Sequence, residues 1–579
     1  MVAKQKNKML NRRDALLRLG LAMVILVLLN VISYYYYYRI DLTSEKRYSI
    51  SQPSKDVIKG LKDEVTIRIY LGNTDLNAGF KRLQDDIKNI LKDFQAYGGS
   101  KVEYEIINPE EITDPQQLKT FQTDLMSRGL SPVNLRVKTK SGMSDRMIFP
   151  SALVVYGGRE FPINLLENQI GYGPQDVLNH SSILLEYKFI NAINKLTQYR
   201  PPQVAIIEGH GELANIELAS IQETLKSLQY EVKHFNLSQS YYIPDRFDAI
   251  IIAKPRYSFN NDGERDKYKI DQYVMRGGKV LWLVDGTNAE MDSLRVNREG
   301  QIVNGLDIGL DDMLFKYGAR INNDVVQDIN LYNQIPLVVG KMGNAPQTEM
   351  FPWYYFPLLV SDNAHPISRN LDPVAAYFAS SIDTVKNPGI SKTILLHTTE
   401  NAKAQMAPTR VHFGMLQGKP NPAYFNQPEL PVAVLLEGQF ESAFTNRMSP
   451  QMISAFDTVQ SLKFIAKAEK PGKMIVVADG DIIRNDINRD STAYPLGFYK
   501  YTNRQFANSD FILNCIEYLV DDNGILQTRN KEVKLRLLNT VKAQEEKLKW
   551  QLLNIALPIG LVIIFGVAFG YYRRRKYAS

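Results

Sequence analysis

The segment of this chain best suited to chemistry is a short loop that follows an apolar run. The run covers residues 204–208 and is typical of a buried parallel strand. The loop itself consists of Gly209, His210, Gly211 and Glu212. Ligands of open α/β sheets bind where such strands end, so this loop is a candidate contact for a ligand or a partner. In the alternative interpretation, the glycines permit the turn, His210 bonds to the backbone and Glu212 caps the next helix.

Two aspartates elsewhere in the sequence could complete a metal site with this loop. Asp285 and Asp479 each follow another strand-like apolar run. An imidazole and carboxylates are ligands that zinc accepts, so His210 and Glu212 could ligate a metal, with Asp285 or Asp479 completing the shell. The chain has only 6 histidines and no His-Glu-x-x-His motif. The sequence therefore favours the structural interpretation of the loop, and we predict neither a metal nor a cofactor.

Familiar catalytic motifs are missing from the sequence. No Gly-Lys pair is followed by Ser or Thr, which excludes a P-loop ATPase, and no G-x-G-x-x-G follows a strand-like run. A hydrolase elbow after residues 250–252 would need a nucleophile, but Ala253-Lys254-Pro255-Arg256 stands there. The single cysteine, Cys515, lies in an apolar helical pattern and is expected in the core. We predict no catalytic residues and no enzymatic activity.

The elements that would hold the loop belong to a predicted α/β domain at residues 200–525. Apolar runs alternate there with amphipathic helices, which predicts a doubly wound parallel sheet of Rossmann-like or amidotransferase-like type. An insertion or third lobe is expected at about 290–470. The pattern predicts strands at 204–208, 232–237, 247–253, 280–285 and 474–479, and helices at 215–229, 262–276 and 509–520.

A smaller α/β domain is predicted at residues 39–199, with Arg200-Pro201-Pro202 as the boundary. Its order is strand, helix, strand, then hairpins and a closing helix. Gly157-Gly158 is a hairpin signal. The pattern predicts strands at 65–71, 102–107, 134–138, 145–156 and 160–163, and helices at 53–61, 79–97 and 181–197.

The formal net charge of +7 is concentrated at the two ends of the chain. Residues 1–18 carry five positive charges in excess and the run Arg573–Lys576 carries four, which leaves −2 for everything between. A nearly neutral body argues against nucleic-acid binding. Just inside the basic tails lie two uncharged apolar stretches, residues 19–38 and 550–572. As helices each would be roughly 30 Å long or more, the thickness of a bilayer core.

These stretches predict two transmembrane helices that flank a large body. Dense Lys/Arg clusters mark cytoplasmic ends, so the tails at 1–18 and 573–579 are expected in the cytoplasm and residues 39–549 on the opposite side. A charge-alternating segment at 526–549 is predicted to be a stalk helix.

The order of several motifs along the chain resembles the auxiliary-domain family of ABC transporters. The resemblance covers nearly the whole chain and is nearest to family members associated with gliding motility. The motifs are Asp41-Leu42-Thr43, Lys46-Arg47-Tyr48-Ser49-Ile50-Ser51, Gly209-His210-Gly211-Glu212, Gly277-Gly278-Lys279-Val280-Leu281 with Asp285, Ala478-Asp479-Gly480-Asp481, Asn508, Asn514, and the span with Pro558 capped by Arg573-Arg574-Arg575.

This resemblance implies a non-catalytic subunit that works with a polytopic permease and a separate cytoplasmic ATPase. It also implies an inner-membrane location, a periplasmic body and a role in surface gliding; it brings no catalytic residues with it. Two alternatives remain. One is a periplasmic subunit that binds a glycan or small solute in a crevice near His210, and the other is a cryptic metal-dependent hydrolase. A homodimer or heterodimer would suit paired stalk helices.

Overall fold

A computed structural model describes most of the chain, which divides into two compact units, Met1–Lys531 and Glu532–Ser579. Most of the predicted stalk and the second half of the first predicted span lie outside the described residues. The described residues are 17–28, 30, 49–73, 76–139, 142–166, 173–261, 264–297, 299–342, 345–447, 464–530 and 546–577.

The first part of the body is built on a four-stranded mixed sheet of order β2-β1-β5-β6, with a separate β3–β4 hairpin. The strands are β1 (Val65–Ile69), β2 (Val102–Ile106), β3 (Val133–Thr139), β4 (Gly142–Ile148), β5 (Ser151–Tyr156) and β6 (Arg159–Asn164). The helices up to this point and just after it are α1 (Leu17–Leu28), α2 (Gln52–Lys59), α3 (Ala78–Gly98), α4 (Pro115–Ser127) and α5 (Pro174–Thr197).

Local sequence signals explain several of these boundaries. The Asn77 side chain accepts a hydrogen bond from Phe80 N at 3.0 Å and so caps the start of α3. Both residues of Gly157-Gly158 have positive φ angles, and the predicted hairpin between β5 and β6 is confirmed. The single strand predicted at 145–156 is wrong. It is divided at Pro150, which has no N–H to donate, into β4 paired with β3 and β5 paired with β1.

The rest of the body contains eighteen further strands and five further helices among the described residues. The strands are β7 (Gln203–Glu208), β8 (Glu231–Asn236), β9 (Ala249–Ala253), β10 (Val280–Leu283), β11 (Gln301–Val303), β12 (Ala319–Ile321), β13 (Asp324–Asp328), β14 (Tyr332–Met342), β15 (Ala345–Leu359), β16 (Val374–Ala375), β17 (Ile382–Thr384), β18 (Ile390–His397), β19 (Ala402–Met406), β20 (Thr409–Val411), β21 (Pro431–Gly438), β22 (Gly472–Val477), β23 (Phe498–Tyr499) and β24 (Arg504–Gln505). The helices are α6 (Ala219–Ser227), α7 (Arg265–Met275), α8 (Met291–Val296), α9 (Asp311–Tyr317) and α10 (Asn508–Val520).

Seven of these strands form the main sheet, in the order β18-β21-β22-β10-β9-β7-β8. Neighbours from β22 to β8 run parallel, while β21 and β18 are antiparallel. The predicted mixed α/β class is confirmed. The sheet is mixed rather than purely parallel, because two strands from the stretch 290–470 join its edge. That stretch therefore contributes to the sheet and is not wholly an insertion.

Both faces of the main sheet are covered by hydrophobic cores. Successive strand residues point to opposite faces, so Ile251 of β9 packs in one core and Ile250 and Ile252 in the other. Helices α6 and α10 contribute to the first core, and α7 and α9 to the second. Cys515, on α10, is fully buried, as expected.

Several predicted helix starts differ from the structure. The predicted helix 215–229 opens with a 3₁₀ turn, Asn215–Leu218, before α6 begins. Helix α7 begins at Arg265, later than the predicted start at 262, and α5 begins at Pro174, about two turns before its predicted start at 181. Proline suits the first turn of a helix because its missing N–H has no partner there in any case.

The second unit contains helix α11 (Lys547–Tyr577), with Pro558 inside it. Among the described residues, Lys547–Arg575 is the one helix long and apolar enough to cross a membrane. The shorter apolar helix α1 lies near the N-terminus. Together they indicate that the protein associates with a membrane.

Candidate functional site

Four neighbouring parallel strands of the main sheet end at one edge and carry the polar side chains of interest. The structure divides the predicted site residues between two clusters on this edge. Asp285 and Asp479 lie with Lys254, whereas His210 and Glu212 lie apart. The residues that follow β22, β10, β9 and β7 are, respectively, Asp479 with Asp481, Asp285, Lys254, and His210 with Glu212.

The first group, which we call the Lys254 cluster, consists of Lys254, Asp285, Glu290 and Asp481. The Lys254 side chain is 0% exposed, and its Nζ lies 2.5 Å from an Asp481 oxygen. Oxygens of Glu290 and Asp285 lie 3.1 and 3.4 Å from the same Nζ. Burial alone would lower the pKa of Lys254, but the three carboxylates outweigh it and raise the pKa above its usual value. Lys254 is therefore a buried ammonium ion.

Backbone geometry at the end of β9 brings Lys254 into this position. Lys254 has a φ of 56°, a left-handed conformation that costs a non-glycine residue about 1–2 kcal/mol. Gly480 completes the fit, because a Cβ at that position would lie 2.5 Å from the Cβ of Lys254. The cluster thus depends on one strained lysine after β9 and on one glycine after β22.

Asp285 and Asp479 accept hydrogen bonds from backbone N–H groups and also affect the charges of their neighbours. Asp285 Oδ1 accepts a hydrogen bond from Gly480 N at 2.7 Å. Asp479 accepts from Asp481 N at 2.8 Å and from Tyr377 N at 2.6 Å. Burial, together with the charges of Asp481 and Asp285, raises the pKa of Asp479 well above its usual value. Asp479 therefore fixes the loop after β22 and does not share in binding Lys254.

Three carboxylates of the Lys254 cluster have a geometry that could also hold a metal ion. Asp285, Glu290 and Asp481 each offer an oxygen within 4.8 Å of the others. The Lys254 ammonium lies among these oxygens and supplies the positive charge that a metal would bring. His210, Glu212 and Asp479 do not belong to this group, which differs from the metal shell considered as an alternative from the sequence.

The second group, the His210 cluster, consists of His210, Glu212, Asp266 and Phe259. The imidazole is 5% exposed and stacks on Phe259 with ring centroids 3.7 Å apart. Its Nε2 lies 3.3 Å from Asp266 and its Nδ1 lies 3.6 Å from Glu212. Burial alone would lower the pKa of His210, but the two carboxylates outweigh it and raise the pKa to about 9. His210 is thus positively charged at neutral pH.

Asp266, on α7, is the residue that holds this cluster to the rest of the domain. It accepts a hydrogen bond from Ser238 at 2.9 Å and pairs with Lys269 at 2.5 Å. Burial alone would raise its pKa, but His210, Lys269 and Ser238 outweigh it and lower the pKa of Asp266 to about 2. The cluster therefore joins the end of β7 to α7 by paired charges.

The glycine loop differs in two respects from its expected structural role, the first being that the His210 ring faces the carboxylates of Glu212 and Asp266 and not the backbone. Gly209 and Gly211 both have positive φ angles, in agreement with the expected turn. Glu212 does not cap the next helix; its Oε2 instead accepts from His210 N at 2.7 Å. Glu217 takes the capping role, accepting from Ala214 N at 2.8 Å.

The His210 and Lys254 clusters are linked through the chain that follows β9. The His210 carbonyl accepts hydrogen bonds from Arg256 N at 2.7 Å and Tyr257 N at 2.8 Å. The side chain of Arg256 pairs with Glu290 of the Lys254 cluster. The two clusters therefore form one continuous polar edge on the sheet.

A cavity of about 140 Å³ opens beside the Lys254 cluster. Glu290 and Asp481 face it from that cluster, and Phe356, Tyr377 and Tyr499 contribute aromatic walls. His210 is not among its lining residues. This cavity thus borders residues that follow β10 and β22 and does not reach His210, which follows β7.

Sequence reasoning missed Lys254, Glu290 and Asp481 as members of the site. The sequence shows Lys254 at the turn after β9, but that position indicated only that the turn has no hydrolase nucleophile. Asp481 lies two residues after the predicted Asp479. The adjacency of β22 and β10 brings these residues together, and strand order is not encoded in any local motif.

More than half of the chain matches a known protein family. Residues 201–515, more than half of the chain and the part that holds both clusters, match the family described as an ABC-type uncharacterized transport system. The chain belongs to this family. Residues 44–155 match a domain of unknown function, DUF7088. Membership of the ABC transport-system family indicates a transporter-associated auxiliary role and a non-catalytic one.

Relatives add little beyond this family. An uncharacterized protein of Borreliella burgdorferi is 20% identical over 583 residues, covering 98% of this chain and 100% of its own length. The N-terminal domain of mmIFT52 is similar over 55% of this chain and 97% of its own, with 14% identity and a TM-score of 0.30. The exo-beta-1,4-mannosidase Op5Man5 from an Opitutaceae bacterium is similar over 82% and 55%, with 10% identity and a TM-score of 0.21. Neither score is high enough to indicate a shared function.

Proposed function

We propose that this protein is a non-catalytic auxiliary subunit of an ABC transporter complex, anchored in the bacterial inner membrane. Helix α11 is long and apolar enough to serve as one anchor, and the stretch 19–38 would serve as the other. The basic tails at 1–18 and 573–579 would then lie in the cytoplasm and residues 39–549 in the periplasm. The body would be a doubly wound, Rossmann-like domain with a smaller α/β domain before it.

The observation that carries the non-catalytic part of this proposal is the Lys254 ammonium. Hydrolases with parallel α/β sheets place a nucleophile at a strained turn between a strand and a helix. Here the turn after β9 is strained in the same way, but it holds a lysine enclosed by three carboxylates. A raised pKa leaves that amine without a free electron pair, so it serves as neither nucleophile nor base. The same ammonium opposes a metal-dependent hydrolase.

The partners of such a subunit follow from what its own sequence does not supply. The chain contains no P-loop, so ATP hydrolysis would belong to a separate cytoplasmic ATPase. A polytopic permease would provide the transport path, and the periplasmic body would dock on it or on an envelope partner. We further propose a role in gliding motility, as a GldG-type component, because the motif order resembles that branch of the family.

Co-purification tests the proposed complex. Tagged full-length protein, extracted in a mild detergent, is expected to bring down a permease and an ATPase identified by mass spectrometry. A chain that ends after residue 531 is the matched control: retention of the partners would assign docking to the body, and their loss would assign it to the segment with α11. Isolation of the full-length protein alone would contradict the proposal.

A separate measurement tests the gliding role. Deletion of the gene is expected to stop surface gliding in a gliding host, and restoration by the full-length chain would show that the effect belongs to this protein. Unchanged gliding in the deletion strain, with co-purification intact, would leave the transporter role and remove the motility role.

A further inference from the structure

The cavity beside the Lys254 cluster has features that a simple packing defect would not have. It lies at the carboxyl ends of parallel strands, where α/β sheets bind ligands. Two bulky residues next to it, Lys254 and Phe378, have φ angles of 56° and 55°. Strained backbone of this kind persists where the surroundings enforce it and is concentrated at ligand sites. The cavity therefore has the marks of a built site.

One polar group in the cavity wall has no hydrogen-bond partner among the residues that the structure describes. The Tyr377 hydroxyl has no hydrogen bond to any of the described residues, although the Tyr377 N–H is bound by Asp479. Burial, together with nearby Asp486, raises the pKa of Tyr377 well above its usual value, so the hydroxyl keeps its proton. A ligand in the cavity would find one neutral donor ready to use.

Two loose ion pairs are present among the cavity's lining residues. Arg295 and Asp292 lie 3.6 Å apart, and Lys500 and Asp486 lie 3.5 Å apart. Neither pair makes a direct hydrogen bond in the described structure. The inner charges differ, because Asp481 is hydrogen-bonded to both Lys254 and Arg484. The loose pairs can separate at small cost, since partly exposed ion pairs contribute little to stability.

We propose that this cavity binds a small zwitterionic solute of the free amino acid class. The carboxylate of the solute would pair with Arg295 or Lys500, and its ammonium group would pair with Asp292 or Asp486. The Tyr377 hydroxyl would donate a hydrogen bond to the carboxylate. A ligand with both charges satisfies both halves of an opened pair, whereas a ligand with one charge leaves a partner unpaired. The cavity volume of about 140 Å³ suits a compact solute.

The aromatic walls support the same class of ligand. Phe356 and Tyr377 pack edge to face with ring centroids 4.8 Å apart, and Tyr499 and Tyr501 do so at 5.4 Å. Such faces accept the apolar part of a solute and attract an ammonium group. The inference goes beyond the transporter role and does not depend on it, because ligand binding and co-purification are separate measurements.

Calorimetric titration of the full-length protein in detergent tests the proposal. The probe is an equimolar mixture of neutral L-amino acids, followed by the same compounds as N-acetyl or amide derivatives, each of which retains one charge. We expect heat of binding with the free amino acids and at least a tenfold weaker affinity for either derivative. Glucose, a neutral polar solute, is expected to give no heat.

Matched variants locate the binding at the cavity. Tyr377→Phe removes only the unpaired hydroxyl and is expected to weaken binding by roughly five- to tenfold, the value of one hydrogen bond. Arg295→Gln removes a partly exposed charge and should weaken binding without unfolding the protein. Arg200→Gln, at an ion pair outside the cavity lining, is the control and should bind as the wild type does.

Three outcomes would overturn the proposal. They are no binding of amino acids up to roughly 10 mM, equal binding of the singly charged derivatives, and binding of glucose in place of amino acids. Wild-type affinity in Tyr377→Phe and Arg295→Gln would likewise place any binding elsewhere. None of these outcomes would bear on the association with a permease.

Discussion

Lys254 and Lys195 are both buried lysines, but their surroundings give them opposite electrostatic behaviour. Lys254 has three carboxylates within 3.4 Å, which raise its pKa. Lys195, on α5, has one carboxylate, Glu517 of α10, at 3.4 Å, and burial lowers its pKa despite that pair. The number of carboxylates that face a buried amine therefore decides whether its charge is favoured or penalised.

The difference matters because the two lysines lie at different kinds of junction. Lys254 joins three strand ends within the family domain, and two of its carboxylate partners, Glu290 and Asp481, line the cavity. Lys195 joins the first α/β part of the body to α10, where Glu517 is also bound by Asn191 and by the Tyr187 hydroxyl. Glu517 would keep two donors without Lys195, whereas the Lys254 carboxylates would lose their common partner. Removal of each lysine should thus have very different effects.

The largest effect is expected from Lys254→Met, a change that nearly preserves volume. It leaves three carboxylates close together without their central cation, and loss of one partner from a buried ionic group costs about 3–5 kcal/mol. Urea unfolding of the full-length protein in detergent should show this loss. The double variant Lys254→Met/Asp481→Asn should recover part of it, because one negative charge is removed. A loss below about 1 kcal/mol would show that the cluster is not ionic in the way described.

A smaller loss is expected from Gly480→Ala, which tests the packing of the same cluster. The added methyl would lie 2.5 Å from the Lys254 Cβ, so the strained turn must move. Overpacking of this kind costs about 1–3 kcal/mol. Gly418→Ala is the matched control, since a Cβ at that position meets nothing within 4 Å. Equal stability of the two variants would contradict the close approach of Lys254 to the loop after β22.

The strand order explains why the sequence predicted only part of the Lys254 cluster. Apolar runs and amphipathic helices predicted the strands β7, β9, β10 and β22, and Asp285 and Asp479 were expected at strand ends. The pairing of β10 with β22 comes from residues about 190 positions apart and leaves no local signal. Without knowledge of that pairing, the sequence gives no reason to place Lys254 next to Asp481.

The two antiparallel edge strands were missed for a related reason. The apolar run at 432–436 was visible, but the intervening stretch 290–470 contains many short strands that form separate two- and three-stranded sheets. Periodicity identifies such strands individually and does not assign them to a sheet. The cavity was equally beyond prediction, because its walls come from α8, β15, β23 and the loops beside them.

His210 is a third buried cation, and it faces two carboxylates, one fewer than Lys254 and one more than Lys195. Its pKa in the folded protein is about 9, above the usual value of 6.5. Its contribution to stability, on the order of 2–3 kcal/mol, is therefore full below pH 6.5 and is lost as the pH rises through about 9.

The variant His210→Gln isolates this contribution. The difference in the free energy of unfolding between wild type and variant should be largest near pH 6 and should shrink by pH 9.5. Thermal unfolding at matched pH values measures the difference and cancels the titration of other groups. A difference that stays constant over this range would show that His210 is not charged in the fold.

The smallest effect is expected from Lys195→Met. The desolvation penalty of the buried ammonium is about as large as its attraction to Glu517. In the variant, Asn191 and Tyr187 still donate hydrogen bonds to Glu517. We expect a change in the free energy of unfolding within about 1 kcal/mol.

The stability difference between the wild type and Lys195→Met should change with pH, and the direction of that change distinguishes Lys195 from Lys254. The folded pKa of Lys195 is lowered, so the penalty for its charge is full at low pH and is relieved as the pH rises toward the usual value of 10.5. The wild type should therefore gain stability relative to Lys195→Met as the pH rises toward 10.5, whereas Lys254 keeps its charge because its pKa is raised. A loss in Lys195→Met as large as that in Lys254→Met would contradict the comparison, because one carboxylate would then stabilise a buried ammonium as well as three do.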